Sequence, residues 1–190
     1  MEVITPCGKV FITAFPKENH RQVVYGILSE ACGVPVLEAQ QEENGRPCFK
    51  NLPLDANWTH SGNWCVLAYS FECRVGIDLE LGKMRSMSLA DRFFNEAEKP
   101  KDLPEFYKLW CRKEALFKCA GGRFFEDALR QNVSLNTVGQ VHFVDVGVEL
   151  LNREILKKME NAKEAAILPA TSVIALAVQG LTPEGSCECT

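Results

Sequence analysis

What most constrains this chain is the order of its apolar segments. Strand-like runs rich in Val, Ile, Phe or Leu occupy Lys9–Phe15, Trp64–Ser70, Arg74–Glu80, Gln140–Val146 and Ser172–Gln179. Helix-like stretches cover Asn19–Ala31, Ser88–Asn95, Glu105–Ala120 and about Asn152–Ala166. The two kinds are mixed without regular strand–helix–strand alternation, which predicts an α+β fold with antiparallel sheet. Trp64–Ser70 and Arg74–Glu80, joined by Phe71–Cys73, are expected to pair as a hairpin with a short turn. Gly121–Gly122 predicts a firm end to the third helix. With 190 residues, the chain has room for one large domain or two small fused ones. The end of the expected hairpin suggests a boundary near Leu81–Gly82.

A content of 46% hydrophobic and 24% charged residues argues against disorder, collagen-like sequence and coiled coil. The net charge of -4 argues against a general nucleic-acid binder, which carries a basic excess. That charge is uneven: residues 1–82 carry a net -4, 83–123 a net +4 and 124–190 a net -4. No apolar run approaches the roughly 20 residues of a membrane span, and MEVITPCGKV lacks the basic-then-apolar pattern of a signal peptide. A cytoplasmic protein is expected. The nine cysteines are odd in number and irregularly spaced, and Cys65, Cys73, Cys111 and Cys119 sit inside apolar runs. They read as reduced thiols rather than a disulfide framework. Cys187 and Cys189, without a second pair or a nearby His, read as an incidental tail rather than a metal site.

Three groups can carry chemistry. In VGIDLE, residues 75–80, Asp78 and Glu80 would share one face of a strand, about 6–7 Å apart. Two carboxylates so placed either reach solvent at a strand end or share a cation, and oxygen-only ligands favour Mg²⁺ or Mn²⁺. On the helix Glu105–Ala120, Phe106, Leu109, Trp110, Phe117 and Ala120 form one apolar stripe, with Glu114 and Lys118 together on its flank. The flanking pair reads equally as a surface Glu–Lys contact. Lys113 falls near the centre of the stripe, where a lysine must snorkel or find an anionic partner. Finally, NWTHSGN places His60 beside small hydroxyl residues, either as a phosphate donor or as a solvated loop histidine, and ENGRP is a turn carrying Arg46.

Taken in order, G-R-P, T-H-S-G, V-G-I-D-L-E, R-F-F-N-E-A-E and L-W-C-R-K-E-A-L-F-K resemble the 4'-phosphopantetheinyl transferase family. The likeness is to the longer monomeric type that activates surfactin-like synthetases. G-I-D-x-E and W-x-x-K-E-A-x-x-K carry it most clearly, and it runs from Gly45 to about Gly122.

The resemblance implies transfer of the phosphopantetheine arm of coenzyme A to a serine of an acyl or peptidyl carrier protein, releasing 3',5'-ADP. Asp78, Glu80 and Glu114 would hold Mg²⁺ (or Mn²⁺), which acts as Lewis acid and template. Glu114 would serve as base and Lys118 would stabilise charge on the phosphates. His60 and Arg46 match positions that hold coenzyme A phosphates, and the basic segment beside its 3'-phosphate is reduced here to Lys17, His20 and Arg21. Glu98 matches a recurrent acid after R-F-F. The implied architecture is two similar α+β halves, 1–81 and 82–190, with antiparallel sheets and the site in the cleft between them. The expected protein is a monomer with no nucleic-acid or membrane partner. Arg85, Arg92, Lys99, Lys101 and Arg112 are candidates for steering an acidic carrier. A carrier-binding module without catalysis and a Mg²⁺-dependent pyrophosphate hydrolase are the competing functions.

Overall fold

The computed structural model describes the chain except residues 37, 44, 50–51, 83–86, 88–89, 122–130, 159–166 and 182–190. It is α+β with antiparallel sheets. Strands β1 (Glu2–Thr5), β2 (Gly8–Pro16), β5 (Asp55–Ser61) and β6 (Trp64–Ser70) form one sheet in the order β1-β2-β6-β5. Strands β7 (Cys73–Glu80), β8 (Thr137–Val138), β9 (Val141–Asp145) and β10 (Val173–Gly180) form a second, in the order β7-β10-β9-β8. Short strands β3 (Gln40–Gln41) and β4 (Pro47–Cys48) frame the ENGRP turn. The helices are α1 (His20–Cys32), α2 (Ala90–Phe93), α3 (Leu103–Ala120) and α4 (Val148–Lys158), with a 3₁₀ turn at Glu96–Glu98.

The expected hairpin is not there. β6 pairs with β2 and β5, whereas β7 pairs along its whole length with β10, Glu80 opposite Val173 and Cys73 opposite Gly180. The tight hairpin is β5–β6, closed at Gly62 with a φ of 54°, a conformation suited to glycine. The strand that the sequence reading assigned to the first half therefore hydrogen-bonds in the second sheet. Phe71–Glu72 carries the chain from one sheet to the other.

Period-two alternation explains the layering. Val75, Ile77 and Leu79 of β7, with Ile174, Leu176 and Val178 of β10, enter a core shared with Val10, Ile12, Val66 and Ala68 of the first sheet. Val148, Leu151 and Ile155 of α4 complete it. On the other face of the second sheet, Ala175 and Ala177 pack under α3 with Phe106, Leu109, Cys111 and Ala115. α1 lies on the first sheet through Val24 and Leu28, which meet Ala56 and Leu67. α3 starts at Leu103 because Asp102 accepts a hydrogen bond from the Glu105 N–H and Pro104 fills the first turn. It ends at Gly121, whose N–H caps the Phe117 carbonyl. The fourth expected helix begins four residues earlier than its sequence range, at Val148, and its expected end lies outside the described residues.

Six cysteines, Cys7, Cys32, Cys65, Cys73, Cys111 and Cys119, are free thiols. Cys48 departs from the all-reduced expectation, being disulfide-bonded. Cys187 and Cys189 lie outside the described residues.

Candidate active site

The site grows from one glycine. Gly76, Asp78 and Glu80 share the β7 face that looks at α3. A Cβ on Gly76 would fall under 3.0 Å from the Ala115 carbonyl oxygen and the Cys119 amide nitrogen. Its φ is not positive, so glycine is needed here for the close approach of helix to strand and not for a turn. That approach brings the flank of α3, Glu114 and Lys118, over Asp78.

Asp78 is buried. The Lys118 Nζ donates to its Oδ1 at 2.6 Å and to Thr59 Oγ1 at 3.1 Å, and the Thr59 hydroxyl donates to the same Asp78 oxygen at 3.0 Å. Glu114 Oε2 lies 3.9 Å from the Lys118 ammonium. Glu80 is half-buried at the strand end, and burial, followed by the charges of Asp78 and Glu80, pushes the Cys111 thiol well above its ordinary value. Asp78, Glu114 and Lys118 are thus drawn together, with Glu80 two residues along the same strand face. In donor chemistry the three carboxylates suit a hard divalent cation. They do not form a closed cage, for among the described residues no group of three His, Cys, Asp or Glu side chains is disposed to hold a metal. Asp78 is instead neutralised by Lys118.

Thr59 is the residue that sequence reasoning missed, along with the strand that carries it. Asp55, Asn57 and Thr59 occupy one face of β5 and reach across to the free edge of β7. Asp55 Oδ2 accepts from the Val75 N–H at 2.7 Å and Asn57 Oδ1 from the Ile77 N–H at 3.2 Å. Side chains of one sheet so satisfy backbone donors of the other. Their every-second-residue polar spacing was the available signal.

Arg46, expected to hold a coenzyme A phosphate, is buried, and its guanidinium is engaged within the chain. Nε donates to the Lys118 carbonyl at 2.7 Å, Nη1 to Asp55 at 2.8 Å and Glu42 at 3.3 Å, and Nη2 to Asp55 at 2.5 Å and the Val75 carbonyl at 2.8 Å. These five contacts match the five N–H donors of arginine. Burial opposes its charge, yet Asp55 and Glu42 outweigh burial and hold it above its ordinary pKa. A pocket of about 170 Å³ lies alongside, lined by Gly45, Arg46, Asn57, Trp58, Phe117 and Lys118 among others.

The remaining expected residues gather on the opposite face of β5. The exposed His60 ring meets His20, the first residue of α1, edge to face at 5.8 Å. His20 Nδ1 lies 3.2 Å from the Lys17 carbonyl, and the Lys17 N–H donates to Asn63 beside the β5–β6 turn at 2.8 Å. Arg21 is exposed on the first turn of α1.

The question posed by Lys113 has a definite answer. Its side chain is fully buried and forms an ion pair with Glu98, itself fully buried. The ammonium also donates to the Gln131 carbonyl at 2.7 Å and sits 5.5 Å from the Phe94 ring centre. Glu98 accepts from the Val133 N–H at 2.8 Å and from the Asn95 N–H at 3.4 Å, closing a capping box. Burial pulls the Lys113 amine below its ordinary pKa despite this partner.

Arg112, expected among the steering cations, is buried too. It forks onto Asp145 and donates to the Val133, Ser134 and Leu135 carbonyls. Lys99 is exposed but paired with Asp91 at 2.7 Å. Arg92 and Lys101 are exposed, and Arg85 lies outside the described residues. No helix among the described residues is long and apolar enough to cross a membrane.

Comparison with known proteins adds a second line of observation. Residues 74–169 match the 4'-phosphopantetheinyl transferase superfamily, a span that contains Asp78, Glu80, Glu98, Glu114 and Lys118. Over 110 residues the chain is 36% identical to the 4'-phosphopantetheinyl transferase Sfp of Bacillus subtilis, covering 53% of this chain and 48% of that protein. It is 38% identical over 107 residues to the 4'-phosphopantetheinyl transferase AcpT of Salmonella typhi, covering 50% of this chain and 55% of that one. The 4'-phosphopantetheinyl transferase psf-1 of Bacillus pumilus is 34% identical over 106 residues, 50% of this chain and 45% of its own length. The chain spans about half the length of these curated relatives.

Proposed function

The chain belongs to the 4'-phosphopantetheinyl transferase superfamily, and from that premise we propose that it transfers the phosphopantetheine arm of coenzyme A to a serine of an apo acyl or peptidyl carrier protein. The observation that carries the reading is the junction of Asp78 on β7 with Glu114 and Lys118 on α3, at 2.6 and 3.9 Å from the shared ammonium. It assembles a buried acid, a candidate base and a cation beside a pocket, inside the segment that matches the family.

In this reaction the serine Oγ forms a bond to the β-phosphorus of coenzyme A as the bond to the bridging pyrophosphate oxygen breaks. The leaving group is 3',5'-ADP. Glu114 accepts the serine proton. Lys118 neutralises charge gathering on the phosphate oxygens and supplies a proton to the departing group. Asp78 and Thr59 hold that ammonium in place from below. Asp78, Glu80 and Glu114 would hold Mg²⁺, which when bound supplies Lewis-acid polarisation of the pyrophosphate. Lys17, Arg21 and His60 would engage the nucleotide phosphates, where the N-terminal end of α1 also favours an anion. The pocket between Asn57 and Trp58 of β5 and Phe117 and Lys118 of α3 would seat part of the substrate, and a monomer would suffice.

The experiment is incubation with coenzyme A, Mg²⁺ and a panel of apo-carrier proteins, read as a mass gain of one phosphopantetheine group on the carrier. The gain should disappear with EDTA and in Glu114→Gln. ADP release without any carrier would convert the reading to a hydrolase, and carrier binding without either product would convert it to a docking module.

A further inference from the structure

Beyond the groups that would touch substrate, the structure holds the end of α3 in an unusual way. Helices end with carbonyls that lack intrahelical partners. Here two of them are taken by arginines from elsewhere in the chain. Arg46 Nε donates to the Lys118 carbonyl at 2.7 Å, and Arg74 Nε donates to the Cys119 carbonyl at 2.5 Å. Glu42 joins the two guanidinium groups, at 3.3 Å to Arg46 and 2.7 Å to Arg74. Asp55 completes the set by accepting from both Arg46 and the Val75 N–H. Four segments meet at this network: the turn after β3, β5, β7 and the last turn of α3.

Lys118 is consequently fixed at both ends. Its ammonium rests on Asp78 and Thr59, and its backbone carbonyl rests on Arg46. Arg46 also lines the pocket beside the Lys118 side chain. The side chain of Arg46 is only 3% exposed, and its fork geometry cannot be reproduced by the single ammonium of lysine.

We propose that Arg46 and Arg74 are positioning residues that fix the backbone of Lys118, so that two arginines from outside α3 govern the reacting ammonium. The inference rests on the transfer reading for its kinetic consequences. Three distinct outcomes are available to Arg46. A residue that grips a coenzyme phosphate controls KM. A residue that only stabilises the fold controls the amount of folded enzyme. A residue that aims Lys118 controls kcat, since displacement of a reacting group by about 1 Å costs on the order of a hundredfold.

The test compares wild type with Arg46→Lys and Arg74→Lys in three measurements: Tm, kcat and KM for coenzyme A, and the position of the Lys118 side-chain signal in NMR with carbon-labelled lysine at one fixed pH. Lys118→Arg assigns the signal. The expected result for Arg46→Lys is a folded protein whose kcat falls roughly tenfold to a hundredfold, with KM for coenzyme A within twofold of wild type and a displaced Lys118 signal. Arg74→Lys, which leaves every Arg46 contact in place, should displace the same signal by less. A tenfold rise in KM at unchanged kcat would overturn the proposal, because Arg46 would then be a phosphate ligand. An unmoved Lys118 signal with wild-type kcat per folded molecule would overturn it equally. Should Arg46→Lys fail to fold, the Arg74→Lys signal decides. If wild type modifies no carrier, the transfer reading fails by itself, while the Lys118 signal still judges the positioning.

Discussion

Replacing Gly76 with alanine adds one methyl group where the structure has no room for it. The new Cβ would lie under 3.0 Å from the Ala115 carbonyl oxygen, the Cys119 amide nitrogen and the Cys119 Cβ. Two of those atoms are backbone of α3, so no flexible side chain can yield, and the helix must withdraw from β7. Restoring an ordinary contact of about 3.5 Å requires a retreat of roughly 1 Å. Two effects follow. Overpacking of a tight core costs about 1–3 kcal/mol, and a protein of this size loses roughly 2–4 °C in Tm per kcal/mol. A Tm lower by about 2–12 °C is therefore expected. The same retreat lifts Lys118 from Asp78, now 2.6 Å away, and misplacement on that scale costs on the order of a hundredfold in rate. The assay pairs thermal unfolding with carrier modification at a temperature where the variant is fully folded. Activity should fall by far more than the folded fraction. A Gly76→Ala enzyme with wild-type Tm and turnover would refute the claim that this glycine sets the helix–strand distance.

Other expectations follow from particular contacts. Glu98→Gln strips the counter-charge from the buried Lys113 and should cost about 3–5 kcal/mol, whereas Glu98→Gln with Lys113→Met keeps an acceptor for the Val133 N–H and should recover much of the loss in urea unfolding; a double variant no better than the single would rule this out. Because burial holds the Lys113 amine below its ordinary value of 10.5, the native state binds fewer protons there than the unfolded chain, so wild-type stability relative to that double variant should rise as pH climbs towards 10.5. Asp145 feels burial pushing its pKa up, but Lys108 and Arg112 prevail and hold it below 3.8. Its contribution is present above that value and lost as pH falls through the native-state pKa, so the stability gap between wild type and Asp145→Asn should close in acid, and a gap constant with pH would contradict the assignment. On the transfer reading, dephospho-coenzyme A should remain a usable substrate with a modestly raised KM, and Arg21→Ala should remove most of the remaining discrimination at nearly unchanged kcat. Equal and strong rejection of the dephospho form by both enzymes would place the 3'-phosphate elsewhere.

The elements with conventional apolar patterning were legible. β2, β6, β7 and β10 are runs of branched and aromatic residues, and α1 and α3 show the helical stripe, so their positions follow from burial of one face. Pairing was not legible to the same degree. Trp64–Ser70 and Cys73–Glu80 are separated by two residues, a spacing that suits a hairpin, yet the chain uses it to step between sheets. The deciding fact is the match of β7 to β10, nearly a hundred residues away, which local sequence does not encode. β5 was hidden for another reason. Asp55, Asn57 and Thr59 face the seam between sheets and bond to β7 backbone and to Asp78, so a half-buried strand carries the polar residues of a loop.

The same physics separates the site residues that sequence could assign from those it could not. Periodicity places Asp78 and Glu80 on one strand face and Glu114 and Lys118 on one helix flank, and it was the family resemblance that implied the two would meet. Whether they touch depends on Gly76, which periodicity treats as a weakness in the strand. Arg46, Arg112 and Lys113 are cations whose residue type predicts exposure, yet all three are buried, each with a carboxylate and at least one backbone carbonyl. Only Lys113 left a trace in the sequence, since it interrupts an apolar stripe and so must be either displaced or paired. The arginines left none, because a partner brought in by tertiary folding sits at no fixed spacing. A basic stretch in an acidic chain was therefore read as a surface for a partner, when part of its charge is spent inside, Lys113 on Glu98 and Arg112 on Asp145. Arg92, Lys99, Lys101 and Lys108 of that stretch are exposed among the described residues, Lys99 and Lys108 in ion pairs with Asp91 and Asp145, and on the transfer reading they are where an acidic carrier would be met.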